Sequence, residues 1–272
     1  MPECDEQAER SAHFIKKRGY SMNNNYTIAE YFTLPSEGKI YSSNVNPQVK
    51  LRSMTTADEM QRLGHSDLQY KLMADVIDNC LIDKPGISAY DMCLGDYQYL
   101  LQKLRIVTYG NDYNMYAICP HCGATGKSTT DLDAINVHKY TDDLKKYLEF
   151  VTPKTGHRIE LRVQTPRILD EIDQRKKDLE KKITDTSSDI TLRVILEAMI
   201  RKVDDRVLTP GELTSFIQTL PMMDTNYILQ CITKINRMIG PDMSVDMVCK
   251  ECGNTYVSPF RVTSQFFGPE ID

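Results

Sequence analysis

Two short stretches carry the residues with the clearest chemistry: Cys119-Pro120-His121-Cys122-Gly123 and Cys249-Lys250-Glu251-Cys252-Gly253. In a CxxCG turn the glycine lets the backbone pass tightly behind the second cysteine while amides face the sulfurs. Two such turns supply four thiolates, the donor set of a closed, tetrahedral, structural zinc site. The predicted ligands are Cys119, Cys122, Cys249 and Cys252. Two local disulfides or a CxxC redox motif would use the same residues. The redox motif needs a helix after its first cysteine, and Gly123 and Gly253 argue against one.

The spacing is unusual. Residues 123–248, 126 in all, separate the knuckles, where an ordinary zinc ribbon has roughly 15–20. Closing a loop that long costs about 4 kcal/mol, whereas a structural zinc contributes roughly 10–16 kcal/mol near neutral pH. The metal term is the larger, so the expectation is a zinc ribbon split by a long insertion. A second motif beside the first knuckle, Gly126-Lys127-Ser128, is the end of a phosphate-binding loop only if Gly stands at position 121, where this chain has His121. No buried strand and following helix flank it, so it reads as a polar ribbon turn.

The elements that must position the knuckles follow from periodicity. Met115–Ile118 and Val245–Val248 read as strands entering them, with Ser128–Leu132 returning from the first. Upstream, Tyr31–Tyr41 around a Pro-Gly turn and Val49-Lys50-Leu51 predict a small β element. Thr55 and Thr56, with Asp58 and Glu59 three residues on, predict a capped helix ending near Gly64. Leu68, Leu72, Val76 and Cys80 behind a Ser66 cap predict a second helix. Tyr97, Leu100, Leu101, Leu104 and Val107 predict a third, stopped by Gly110. Cys80 and Cys93 lie in no paired spacing and read as buried small hydrophobes.

Between the knuckles, Glu149–Val151 and Arg158–Val163 predict a hairpin. Ile168, Ile172, Leu179 and Ile183 line a charged helix that starts at Pro166 and breaks at Thr184–Ser188. Further helices are predicted over Ile190–Lys202, Thr209/Pro210–Leu220 and Asp224–Ile239. The fold class is therefore α+β: a mixed helical domain with a split Cys4 zinc ribbon and a hairpin-plus-helical-bundle insertion. The expected division is a polar arm over 1–26, a core over 27–132 and 241–272, and the insertion over 133–240.

Charged residues make up 26% and hydrophobic ones 41% of the 272 residues, with no tryptophan. No apolar run approaches a membrane span, and the acidic start Met1–Glu6 has no signal-peptide core. A reducing cytoplasm, no membrane partner and reduced thiols are the expectation. The net charge of −5 is the wrong sign for general nucleic-acid affinity. The basic groups Arg175-Lys176-Lys177 and Lys181-Lys182 alternate with Asp and Glu, as on a solvated helix face.

With these segments placed, the order of certain residues resembles a known family. Leu34-Pro35-Ser36, Gly38 and Tyr41 come first, then Leu51–Thr56, then Asp96–Leu101, Leu104-Arg105 and Tyr109-Gly110 leading into the first knuckle. The second knuckle is followed by Pro259-Phe260 and Phe266–Pro269. This order is similar to the baseplate hub and hub-assembly proteins of contractile-tailed bacteriophages, over about residues 30–132 and 210–269. The resemblance implies a structural or assembly protein of the tail baseplate without enzymatic activity. It implies other phage tail proteins as partners, and a life in the host cytoplasm during assembly and in the virion tail. Zinc rests on the cysteines alone.

An alternative is a zinc-ribbon accessory factor that binds nucleic acid or polymerase, but no aromatic and basic stripe accompanies Lys127, Lys250 and Glu251. An enzyme needs a nucleophile with a base or an open metal position, and four thiolates leave none. His121, His138 and His157 read as polar-loop residues. Phe260, Phe266 and Phe267 have two readings: they cover the ribbon as core, or they anchor a partner.

Overall fold

The computed structural model describes residues 28–182, 190–242, 244–259 and 264–267. β1 (Ala29–Thr33), β2 (Gln48–Arg52) and β3 (Leu81–Asp83) form an antiparallel sheet in that order. Alternation along β2 sends Val49 and Leu51 into the interior and Gln48, Lys50 and Arg52 outward. Helix α1 (Thr56–Arg62) starts in a capping box. Asp58 N donates to Thr55 Oγ1, Thr55 N donates to the Asp58 carboxylate, and Arg52 pairs with the same carboxylate at 2.7 Å.

Ser66 does not cap α2 (Gln69–Cys80). Its hydroxyl accepts from Leu68 N, ahead of the helix. The open amides of Tyr70 and Lys71 instead donate to the carboxylate of Asp170, at 3.2 and 2.9 Å. A carboxylate there also meets the positive end of the helix dipole. Cys80 and Cys93 are buried, and loss of water pushes the Cys80 thiol up to about 12.

Helix α3 (Leu94–Tyr109) runs through the first hydrophobic core, where Tyr97, Leu100, Leu101 and Leu104 are buried together with Leu34, Leu51, Val76 and Ile77. Its other side is polar yet also buried, because each head group grips a later segment. Gln102 donates to the Leu132 carbonyl, Lys103 pairs with Asp133, and Arg105 donates to the Phe266 carbonyl at 2.9 Å. From Gly110 the chain enters the hairpin β4 (Asp112–Ile118) and β5 (Thr125–Asp131).

The intervening unit holds β6 (Val137–His138), α4 (Lys145–Leu148), β7 (Glu149–Val151), β8 (Arg158–Leu161), α5 (Pro166–Lys182), α6 (Thr191–Met199) and β9 (Ile200–Val203). It ends with α7 (Pro210–Thr219), α8 (Met222–Arg237) and β10 (Gly240–Pro241). The helix predicted to Lys202 stops at Met199. Ile200–Val203 leaves it as a strand on β8, making a three-stranded sheet β7-β8-β9. Its β-branched ends, Ile200 and Val203, pack between sheet and helices. A second core forms from Leu144, Ile159, Leu161, Val194, Leu196, Ile228 and Ile235 among others. Thr184–Ser188 lies outside the described residues.

β6 and β10 pair antiparallel, so the unit's entry and exit run side by side. His138 Nε2 and Asp242 meet there at 2.8 Å. The first turn of α3 touches this neck backbone to backbone. A Cβ on Gly95 would lie 2.2 Å from the Ile239 carbonyl oxygen, and one on Gly240, at φ +99, would lie 2.6 Å from Gly95 Cα. Only glycine fits such an approach. The two cores also meet at Arg167, which forks onto Asp91 at 2.6 and 2.8 Å.

The chain then forms β11 (Ser244–Val248) and β12 (Thr255–Pro259), a second hairpin. After it, Phe266 and Phe267 are 0% and 1% exposed in the first core, edge-on to each other and, for Phe266, to Tyr113. They are core, so the reading of these two as partner anchors is corrected. Phe260, the 1–26 arm and Gly268-Pro269 lie outside the described residues.

Candidate metal centre

Each knuckle sits at the tip of one hairpin, between β4 and β5 and between β11 and β12. The two tips repeat the same turn. Cys119 N donates to the Ala124 carbonyl and Gly123 N to the Cys119 carbonyl. Cys249 N donates to Asn254 and Gly253 N to Cys249, all at 2.9 Å. Gly123 and Gly253 lie at φ 74 and 72, the left-handed conformation that closes each turn. The hairpins pack tip to tip through Cys119, Cys249, Met247 and Tyr256, with Ala117 and Ala124 beside them.

The four sulfurs lie within 4.8 Å of one another. Cys119 Sγ is 3.8 Å from Cys252 Sγ, and Cys122 Sγ is 3.6 Å from Cys249 Sγ. A zinc–sulfur bond of about 2.3 Å in a tetrahedron puts sulfurs about 3.8 Å apart. A disulfide requires about 2.05 Å, and the cysteines are free thiols here. The donor set and its spacing fit a tetrahedral metal, each hairpin giving one buried and one exposed cysteine.

Electrostatics favour a cation at the centre. The backbone amides of Cys252 and Glu251 point at Cys249 and pull its thiol down to about 7. At Cys122 the Ala124 amide acts in the same direction, but hydrogen bonds with Cys249 and Cys252 prevail and push the thiol up to about 12. Cys122 and Cys249, 3.6 Å apart, are thus shifted in opposite directions, a conflict that a divalent ion between them would remove. Asn254 Nδ2 donates to Cys252 Sγ at 3.5 Å, orienting one ligand from outside the cluster.

Sequence reasoning found all four sulfurs but not what surrounds the other quoted residues. Ser36, Tyr41 and Asp96 form one buried cluster: Ser36 N and Oγ donate to the Asp96 carboxylate at 2.9 and 2.5 Å, and Tyr41 OH at 2.6 Å. Burial pushes the Asp96 carboxyl up despite these donors. The cluster folds the Leu34–Tyr41 loop onto α3. His138 and His157 are not isolated. They pair with Asp242 and Asp204, each at 2.8 Å, and pin turns.

A profile of the T4 bacteriophage base plate protein matches residues 26–268. The chain belongs to that family. The match includes both knuckles, both cores and the Ser36–Asp96 cluster. Membership carries a structural role in the phage base plate, in the virion tail, in contact with other tail proteins. Among the described residues, no helix is long and apolar enough to cross a membrane. No curated protein and no solved structure matches the chain.

Proposed function

We propose that this base plate protein is a non-enzymatic structural or assembly component of the hub region, held in shape by one structural zinc ion on Cys119, Cys122, Cys249 and Cys252. The observation that carries this reading is the closure of two hairpins, with 126 residues between their knuckles, by sulfurs within 4.8 Å of one another. Four thiolates fill a zinc's coordination and leave no position for substrate, so the metal's part is to join segments. The division into a core over 27–132 and 241–272 and an insertion over 133–240 belongs to the same proposal. The outward faces of the hairpins carry Tyr116, Ile118, Val248 and Val257, 63–71% exposed. That surface suits protein contact rather than phosphate.

Native mass spectrometry of the purified chain tests the metal: one zinc per chain is expected, lost in Cys249→Ser, and an apo mass sinks it. Quantitative mass spectrometry of purified tails against lysate tests the location, including whether the chain stays in the finished particle or acts in the host cytoplasm during assembly.

A further inference from the structure

With Phe266 and Phe267 buried, the surface that receives a partner must be sought elsewhere, and the insertion holds a candidate. A cavity of about 240 Å³ lies between α5, α6, α7 and β9, with Ile172, Val194, Ile200, Val203 and Leu213 on its walls. It adjoins an open trough of about 780 Å³ along β8, floored by Ile40, Leu148, Leu161 and Val163. Arg162, Arg201 and Val207 line both, so cavity and trough form one groove.

The charges around this groove are unevenly satisfied. Five cations and four carboxylates line it, in a chain whose net charge is −5. Glu160 is held by Arg201 and Lys202 at 2.9 and 2.6 Å, and the buried Glu197 by Arg175 at 2.6 Å. Lys145 pairs with Asp142 at 2.8 Å. Arg162, at the junction of cavity and trough, makes no ion pair among the described residues. A guanidinium presents a fork of donors that matches a carboxylate. Here it stands beside an apolar cavity with room for one large side chain.

We propose that this groove docks an extended segment of another tail protein, placing an apolar side chain in the cavity and a neighbouring Asp or Glu on Arg162. The proposal rests on the base plate reading and gives that reading a contact surface. Nucleic acid is a poorer fit, since phosphates along a backbone need several unpaired cations and the groove offers one.

Overlapping short peptides covering the other tail proteins of the same phage, probed with the full-length chain, test it. Bound peptides are expected to share an apolar residue next to Asp or Glu. Arg162→Glu should weaken them by about tenfold or more, as loss and reversal of a charge pair does. Changing the peptide's acid to Lys should restore binding to the Arg162→Glu chain. Arg162 is exposed, so zinc content and melting temperature should not move. Ala198→Phe, which fills the cavity wall, should block the same peptides.

Absence of any binding peptide, or binding that Arg162→Glu leaves unchanged, overturns the proposal, as does preferential binding of a second copy of this chain. Incorporation into tails separates the two levels. If wild type and Arg162→Glu enter tails equally, the groove fails and the base plate reading stands. If the wild-type chain enters neither tails nor their assembly intermediates, the base plate reading itself fails.

Discussion

The two hydrophobic cores of this chain are put together differently. Among the described residues, the buried members of the inserted core come from 144–239 apart from Cys93, with Ile40 and Tyr41 packed against it from upstream. The other core collects residues 34–115, then Leu132, then Phe266 and Phe267. Most contacts of the inserted core lie within one stretch of about a hundred residues. The other, the first core of the chain, is complete only after a segment more than a hundred residues away returns, and the entropy of that return must be offset by something. The metal pair of hairpins and the Arg105 grip on the Phe266 carbonyl lie at that point of return.

The sharpest way to break this asymmetry is Cys249→Ser. It should abolish zinc binding and cost more than about 5 kcal/mol, since a structural zinc contributes more than any one side chain. Hydrogen exchange should show lost protection in both hairpins and the first core, with β7-β8-β9 and α8 protected as before. Uniform loss would show that the inserted core depends on the ribbon. Phe266→Ala comes next, at about 3–5 kcal/mol. It should lower the denaturation midpoint while zinc remains bound, separating aromatic closure from metal closure.

Gly95→Ala attacks the neck. The added Cβ would sit 2.2 Å from the Ile239 carbonyl oxygen, so the two backbones must part, at about 1–3 kcal/mol as for other overpacked sites. Both cores should lose stability together, measurable by urea unfolding with intrinsic tyrosine fluorescence. A change confined to one core would mean that the neck does not couple them.

The smallest effect concerns acid. Arg167 beside Asp91 holds that carboxyl below its usual range. A group depressed in the folded state adds stability above its unfolded pKa, about 3.9, and loses it as pH falls through the folded value. Acidification below about pH 4 should therefore loosen the seam between α5 and residues 90–91. Asp91→Asn should remove that part of the pH dependence. Both side chains are over 40% exposed, so the change should be small and salt-sensitive.

The knuckles were legible because cysteine with a following glycine has few other uses, and the spacing stated the geometry of each turn. The capping box at Thr55, the start of α7 at Thr209/Pro210 and the stripe of α3 were legible for the same local reason. What escaped was non-local. Ile200–Val203 continues the apolar rhythm of α6 with no glycine or proline to stop it. Only β8, forty residues earlier, decides that it is a strand. The cap on α2 comes from Asp170, and no window around Ser66 contains it. Phe266 and Phe267 are ambiguous in sequence because an anchor and a core residue have the same composition. Their partners, Tyr113 and Arg105, settle the matter from far upstream.

The separation of the knuckles also sets an order in time. At translation rates of about 5–20 residues per second, the first knuckle is out of the ribosome roughly 6–25 s before the second. For that interval it offers two sulfurs, half of a tetrahedral site. The residues between the knuckles, which supply most of the second core, are all synthesised within that window. A metal held by all four cysteines, as proposed above, and the docking of Phe266 and Phe267 can only follow synthesis of the second knuckle, so a chain cut before Cys249 would lack half of the donor set.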